Sequence, residues 1–203
     1  MRTRLLRINP ENPEPDLIRS AAAVLRRGGL AAFPTETVYG LGANLDDPQA
    51  IQELYQVKRR PFEKQVTIHL ADASDLEKYP VRVPALAREL MRTFWPGPLT
   101  LVFARADGST LGFRVPKHPV ALALLKEAGV PVVAPSANLN GQPPARTAEA
   151  VAREFMDKID LILDGGPTPL GTSSTVVDMT GDSPKILREG AMARELETFC
   201  GRA

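Results

Sequence analysis

Short apolar runs that stop abruptly at proline or glycine recur along this chain and constrain its fold more than any other feature. Leu30 to Phe33 stops at Pro34, "VPVVA" stops at Pro135, and "IDLILD" stops at Gly165-Gly166. Such runs have strand length, and their breakers mark loops. Between them lie segments of helical spacing. Leu17, Ala21, Val24 and Leu25 share one face of a helix expected over 16–27, which Gly28-Gly29 stops. Asp47 is expected to cap a helix whose first turn holds Pro48 and which ends near Arg59-Arg60-Pro61. Further helices are expected over 84–94, 118–128 and 148–158, and further strands over 66–70, 99–104 and 111–116. "SSTVVDM" and "PKILREG" read as two more strands. Helices and strands therefore alternate, which defines an α/β fold. Several late links are too short for a crossover helix, so the sheet is expected to be mixed. No internal repeat or linker divides the 203 residues, and one domain is expected, with a core over about 17–190 and a C-terminal tail over 191–203.

Composition excludes several functions. The net charge of +1 does not announce a nucleic-acid binder, although 18 arginines against 7 lysines provide many planar forks for phosphate or carboxylate. The single cysteine, Cys200, rules out an internal disulfide or a cysteine-based zinc site, so no metal site is expected. The basic opening residues lack an apolar signal core, and no run nears the roughly 18 apolar residues of a membrane span. A cytoplasmic location with no membrane contact is expected.

Chemistry-bearing residues cluster where apolar runs end, as binding loops on a rigid scaffold do. The threonines of "FPTETVYGLG" either complete a turn or face a ligand, while Gly40 and Gly42 permit a close turn. Lys58, Arg59 and Arg60 suit the negative end of a helix dipole. His69 inside an apolar strand reads first as a satisfied core group. Arg114 interrupts "GFRVP", and a buried guanidinium needs an anion; no carboxylate stands near it in the sequence, which favours a ligand. "GPTPLGTS" has the glycine spacing of a phosphate loop, but Thr172 stands where lysine is needed and a strand follows, so that reading fails. The residues alone thus describe a cationic, hydroxyl-lined cleft for a phosphorylated, carboxylate-bearing ligand.

Six motifs in order say more: "PTETVYGLG", "K-x-R-P" at Lys58 to Pro61, "WPGPLTL" at Trp95 to Leu101, "RVP" at Arg114 to Pro116, "APSAN" at Ala134 to Asn138, and "STVVD" at Ser174 to Asp178. Together they resemble the YrdC-like threonylcarbamoyl-AMP synthase family over roughly Leu17 to Gly190, in its short, single-domain form. The resemblance implies a twisted mixed sheet flanked by helices, with a concave basic face. It implies that L-threonine, bicarbonate or CO2 and ATP, with Mg²⁺, give threonylcarbamoyl-adenylate and pyrophosphate. A tRNA threonylcarbamoyl transferase complex would then use the product beside the anticodon, with contact to tRNA or double-stranded RNA a further implication.

Residue by residue, the resemblance assigns Thr35, Thr37, His69, Arg114, the Ala134 backbone and Ser174 to threonine. It assigns Lys58 and Arg60, as the catalytic pair, to ATP phosphates, and Thr110, Ser136, Asn138 and Arg188 to the nucleotide. Two positions depart from the family pattern. Lys64 stands where many relatives have an asparagine near ATP, and Pro144 where many have a hydroxyl residue. A YciO-like subgroup, with RNA binding or another activity, shares the fold but lacks an intact "K-x-R" and "S-x-N"; both are intact here, while the opening "INPENP" resembles that subgroup and keeps it as the alternative.

Overall fold

The computed structural model describes residues 2–200. Its strands are β1 (Arg4–Arg7), β2 (Ala31–Phe33), β3 (Gly40–Asn44), β4 (Thr67–His69), β5 (Leu99–Ala104), β6 (Thr110–Arg114), β7 (Val132–Val133), β8 (Leu161–Asp164), β9 (Thr175–Asp178) and β10 (Lys185–Arg188). Its helices are α1 (Pro15–Arg26), α2 (Pro48–Val57), α3 (Ala85–Phe94), α4 (Pro119–Ala128), α5 (Ala148–Phe155) and α6 (Ala193–Cys200). The strands form one sheet in the order β1-β8-β2-β3-β7-β4-β6-β5-β9-β10. Parallel pairs (β1–β8, β2–β8, β4–β6, β5–β9) mingle with antiparallel ones, so the sheet is mixed as expected.

Both faces of the sheet are covered, and the period of the strands explains how. Successive side chains point to opposite faces. Ala31 and Phe33 pack with Leu161 and Leu163 in one core, beneath Val24 and Leu25 of α1 and Leu124 and Leu125 of α4. Ala32 and Ile162 serve the other core, with Leu54 of α2, Leu90 of α3 and Phe155 of α5. Burying each such Leu or Phe stabilises the fold by about 2 kcal/mol.

Local chemistry sets the helix ends. Asp47 caps α2 by accepting from Gln49 N and Ala50 N, with Pro48 at the start. Gly129 closes α4 at a φ of 63°, a backbone conformation glycine adopts freely.

Three expectations change. Arg4–Arg7 is a strand, paired with β8, outside the expected core. Gly40 and Gly42 lie within strand β3, because pairing with β2 on one side and β7 on the other outweighs their poor strand propensity. The expected tail contains α6, and Met192 and Leu196 are buried in the larger core; residues 201–203 lie outside the described residues. Among the described residues, no helix is long and apolar enough to cross a membrane.

Candidate functional site

The turn after β2 carries the first wall of a cleft. Thr35 Oγ1 donates to Val38 O at 2.6 Å and lies 2.8 Å from Thr37 Oγ1. With its proton given to that carbonyl, Thr35 accepts from Thr37, and the lone pairs of Thr37 remain for a ligand donor. Both threonines are buried. The turn is held opposite the segment after β7 by Ala137 N donating to Tyr39 O at 2.7 Å and Leu41 N donating to Pro135 O at 2.8 Å.

The floor comes from β4 and β6, whose parallel pairing sets His69 beside Arg114. His69 Nδ1 meets Thr67 O at 3.4 Å. A carbonyl only accepts, so this contact places the proton on Nδ1 and leaves Nε2 as an acceptor. Burial, and secondarily the charge of Arg114, lowers the His69 pKa to about 3, so the ring is neutral at physiological pH. Arg114 donates through Nε to Gly97 O at 3.2 Å. Its Nη2 lies 2.8 Å from Glu36 Oε2, with both side chains under 10% exposed. The sequence supplied no carboxylate for Arg114; the fold does, from the opening turn.

A second wall is cationic. Arg60 folds back on its own loop, giving Nε to Lys64 O at 3.1 Å and Nη2 to Gln65 O at 2.6 Å. Tyr55 supports that loop through its hydroxyl to Lys64 O and by stacking on Phe62. Arg188 stands on an exposed strand, yet its guanidinium reaches back to Ser174 O at 2.8 Å and Ser174 Oγ at 3.1 Å. Ser174 Oγ in turn lies 2.9 Å from Thr100 Oγ1. Gly190 permits this approach: a Cβ there would lie 2.4 Å from Ser173 O. Burial and the charges of Arg114 and Arg60 lower the pKa of Arg188, while a guanidinium keeps its charge.

The cleft has a volume of about 100 Å³. It gathers Thr35, Thr37, Arg60, His69, Arg114, Ala134, Ser136, Ser174 and Arg188 from the predicted set. Lys58, Lys64, Thr110, Asn138 and Pro144 stand outside the lining. Thr110 gives its hydroxyl to Gln65 Oε1 at 2.9 Å, and Lys64 Nζ reaches Asn140 Oδ1 at 3.1 Å. Asn138 Nδ2 ties down Leu139 O and Gln142 O, and Pro144 is half-buried.

Lys58 differs most from its expected place. It is 2% exposed, and its ammonium donates to Ser136 O and Asn138 O, each at 2.5 Å. Its own carbonyl accepts from Asn140 N, while Glu154 Oε2 accepts from Leu139 N at 2.5 Å. Lysine and glutamate thus hold successive parts of the segment over 136–140. Burial, and secondarily the charge of Arg60, lowers the Lys58 pKa to about 8; Glu154 opposes the shift. In its present contacts Lys58 positions a loop, and the cleft faces Arg60.

Tyr39, Gln65, Thr67 and Thr100 also line the cleft and were not foreseen. Two carried a signal. Thr67 is two residues from His69, hence on the same face of the strand, and Thr100 interrupts the apolar run "LTLVFA". The lining contains no carboxylate, and no cluster of three metal-ligating side chains occurs among the described residues.

Comparison with known proteins follows the same outline. The family model Sua5_yciO_yrdC, described as "Telomere recombination", matches residues 23–190. A threonylcarbamoyl-AMP synthase of Bacillus subtilis is 44% identical over 188 residues, covering 88% of this chain and 54% of that protein. The crystal structure of Pyrococcus abyssi Sua5 complexed with L-threonine is 40% identical with a TM-score of 0.92, covering 97% of this chain and 60% of that one. Escherichia coli YciO is 30% identical with a TM-score of 0.84, covering 93% and 96%. The chain spans about half the length of the curated synthases it matches first.

Proposed function

Because the chain belongs to the Sua5/YciO/YrdC family, we propose that its cleft makes threonylcarbamoyl-AMP from L-threonine, bicarbonate or CO2, and ATP. The observation that carries the reading is a carboxylate-free lining that joins three arginines to buried hydroxyls. Its volume of about 100 Å³ is well below the roughly 300 Å³ at which drug-sized pockets begin. The enclosed part therefore suits a small polar molecule such as threonine, with the nucleotide extending toward Arg60 and Arg188.

Arg114 receives the threonine carboxylate as a planar fork. Thr37 and neutral His69 offer acceptors to the amine or the hydroxyl. The unprotonated amine attacks CO2 and, releasing one proton to solvent, forms a carbamate. A carbamate oxygen then attacks the α-phosphate of ATP, and the bond to pyrophosphate breaks. Arg60 and Arg188 offset charge on the phosphates, while the clamped Ser136–Asn138 segment aligns the two substrates. The lining provides no carboxylate cage for Mg²⁺, so the ion arrives on the ATP phosphates as part of the substrate.

The adenylate would pass to a tRNA threonylcarbamoyl transferase, and a basic concave surface would serve any contact with RNA. A steep salt dependence of RNA binding, independent of threonine and ATP, would mark instead an RNA-binding module of the YciO type. The deciding experiment incubates the protein with ATP, Mg²⁺, bicarbonate and each amino acid in turn, with mass detection of the adenylate. Product with threonine alone is expected. No product, or product with a different amino acid, overturns the reading.

A further inference from the structure

Glu36 is the acidic residue of the opening turn, and nothing in the proposed chemistry uses it. Its surroundings are unusual. Oε2 lies 2.8 Å from Arg114 Nη2, with both side chains buried. Yet neither carboxylate oxygen nor Nη2 has a hydrogen bond among the described residues. The two groups meet as charges, out of line with the N–H directions. Glu36 is itself fixed through its backbone, since its carbonyl accepts from Leu170 N at 2.9 Å. It is absent from the lining, whereas Arg114 is part of it.

A guanidinium has five N–H donors. Arg114 spends one on Gly97 O, and the Glu36 contact spends none. The carboxylate thereby lowers the cost of burying the charge without taking up an N–H bond. We propose that Glu36 is a positioning residue that acts through Arg114, holding the guanidinium by charge from behind so that its N–H bonds face the carboxylate of an amino-acid ligand. The inference rests on the threonine reading above. It assigns the acidic position of "PTET" to selection of the carboxylate.

The test is calorimetric titration of L-threonine and of L-threoninamide into wild type and Glu36→Gln, which keeps the shape and removes the charge. Glu36→Gln should weaken threonine by about tenfold or more. It should change threoninamide, which lacks the carboxylate, by less than about twofold, because distant or unconnected contacts add independently. An equal loss on both ligands means a merely structural role and overturns the proposal. So does unchanged or tighter threonine binding. Should Glu36→Gln fold poorly by circular dichroism, Glu36→Asp carries the same test, with an intermediate loss confined to threonine. There, equal losses or none overturn the proposal. Failure of the wild type to bind threonine defeats the threonine reading itself and is separate from these outcomes.

Discussion

The two walls of the cleft are built on opposite plans. One consists of the Thr35–Thr37 turn and the Ser136–Asn140 segment, held by Lys58, Glu154 and backbone bonds and largely buried. The other consists of the Arg60–Gln65 loop and β10, exposed and held by arginine contacts to backbone carbonyls. The buried wall is set in place before a ligand arrives. The exposed wall keeps its charges on segments that few apolar contacts restrain, which suits a flexible polyphosphate. Stability and binding should therefore separate between them.

The sharpest way to break that contrast is Lys58→Ala. It leaves two carbonyls without their donor, and destabilisation of about 2–4 kcal/mol is expected. Urea unfolding measures this, and adenylate formation should fall with the loosened segment. Stability unchanged within error would mean that the clamp does not hold the buried wall.

Arg60→Ala and Arg188→Ala test the other wall. Each should cost less than about 1 kcal/mol in unfolding. Each should nonetheless raise the KM for ATP by about tenfold or more while the KM for threonine stays near wild type. A stability loss matching that of Lys58→Ala would erase the distinction.

A third contrast concerns pH. His69 has a folded pKa of about 3 against 6.5. Between these values the unfolded chain binds the extra proton, so this group's stabilisation is present above about pH 6.5 and is lost as pH falls toward 3. His69→Gln should unfold less steeply with acid across that window, by up to about 1.4 kcal/mol per pH unit. Parallel curves for the two proteins would mean that the floor of the cleft does not hold this ring neutral.

The sequence made some of this visible and hid the rest for physical reasons. The cap at Asp47 and the stop at Gly129 are local, and their signals survive folding. Gly40 and Gly42 read as a turn because strand formation there depends on partners on both sides, which no local pattern reveals. Arg4–Arg7 and the last helix were missed for the same reason: β8 and the buried Leu196 contact define them. In the site, Arg114 was visible as a charge inside an apolar strand, whereas its partner Glu36 comes from a distant turn. Lys58 and Arg60 look equivalent in "K-x-R". Only the return of the Ser136–Asn138 segment separates a clamp from a cleft group.

The two-sided burial of β2 carries a consequence for accuracy. Sliding this strand by one residue would exchange Phe33 with Ala32 between two filled cores, overfilling one and hollowing the other. Pro34 and the threonines follow directly on that strand. Their location opposite Ser136 is thus dictated by how much room the two layers leave for one phenyl ring. Substitutions beneath the sheet, far from any ligand, should misplace the hydroxyls before they unfold the protein.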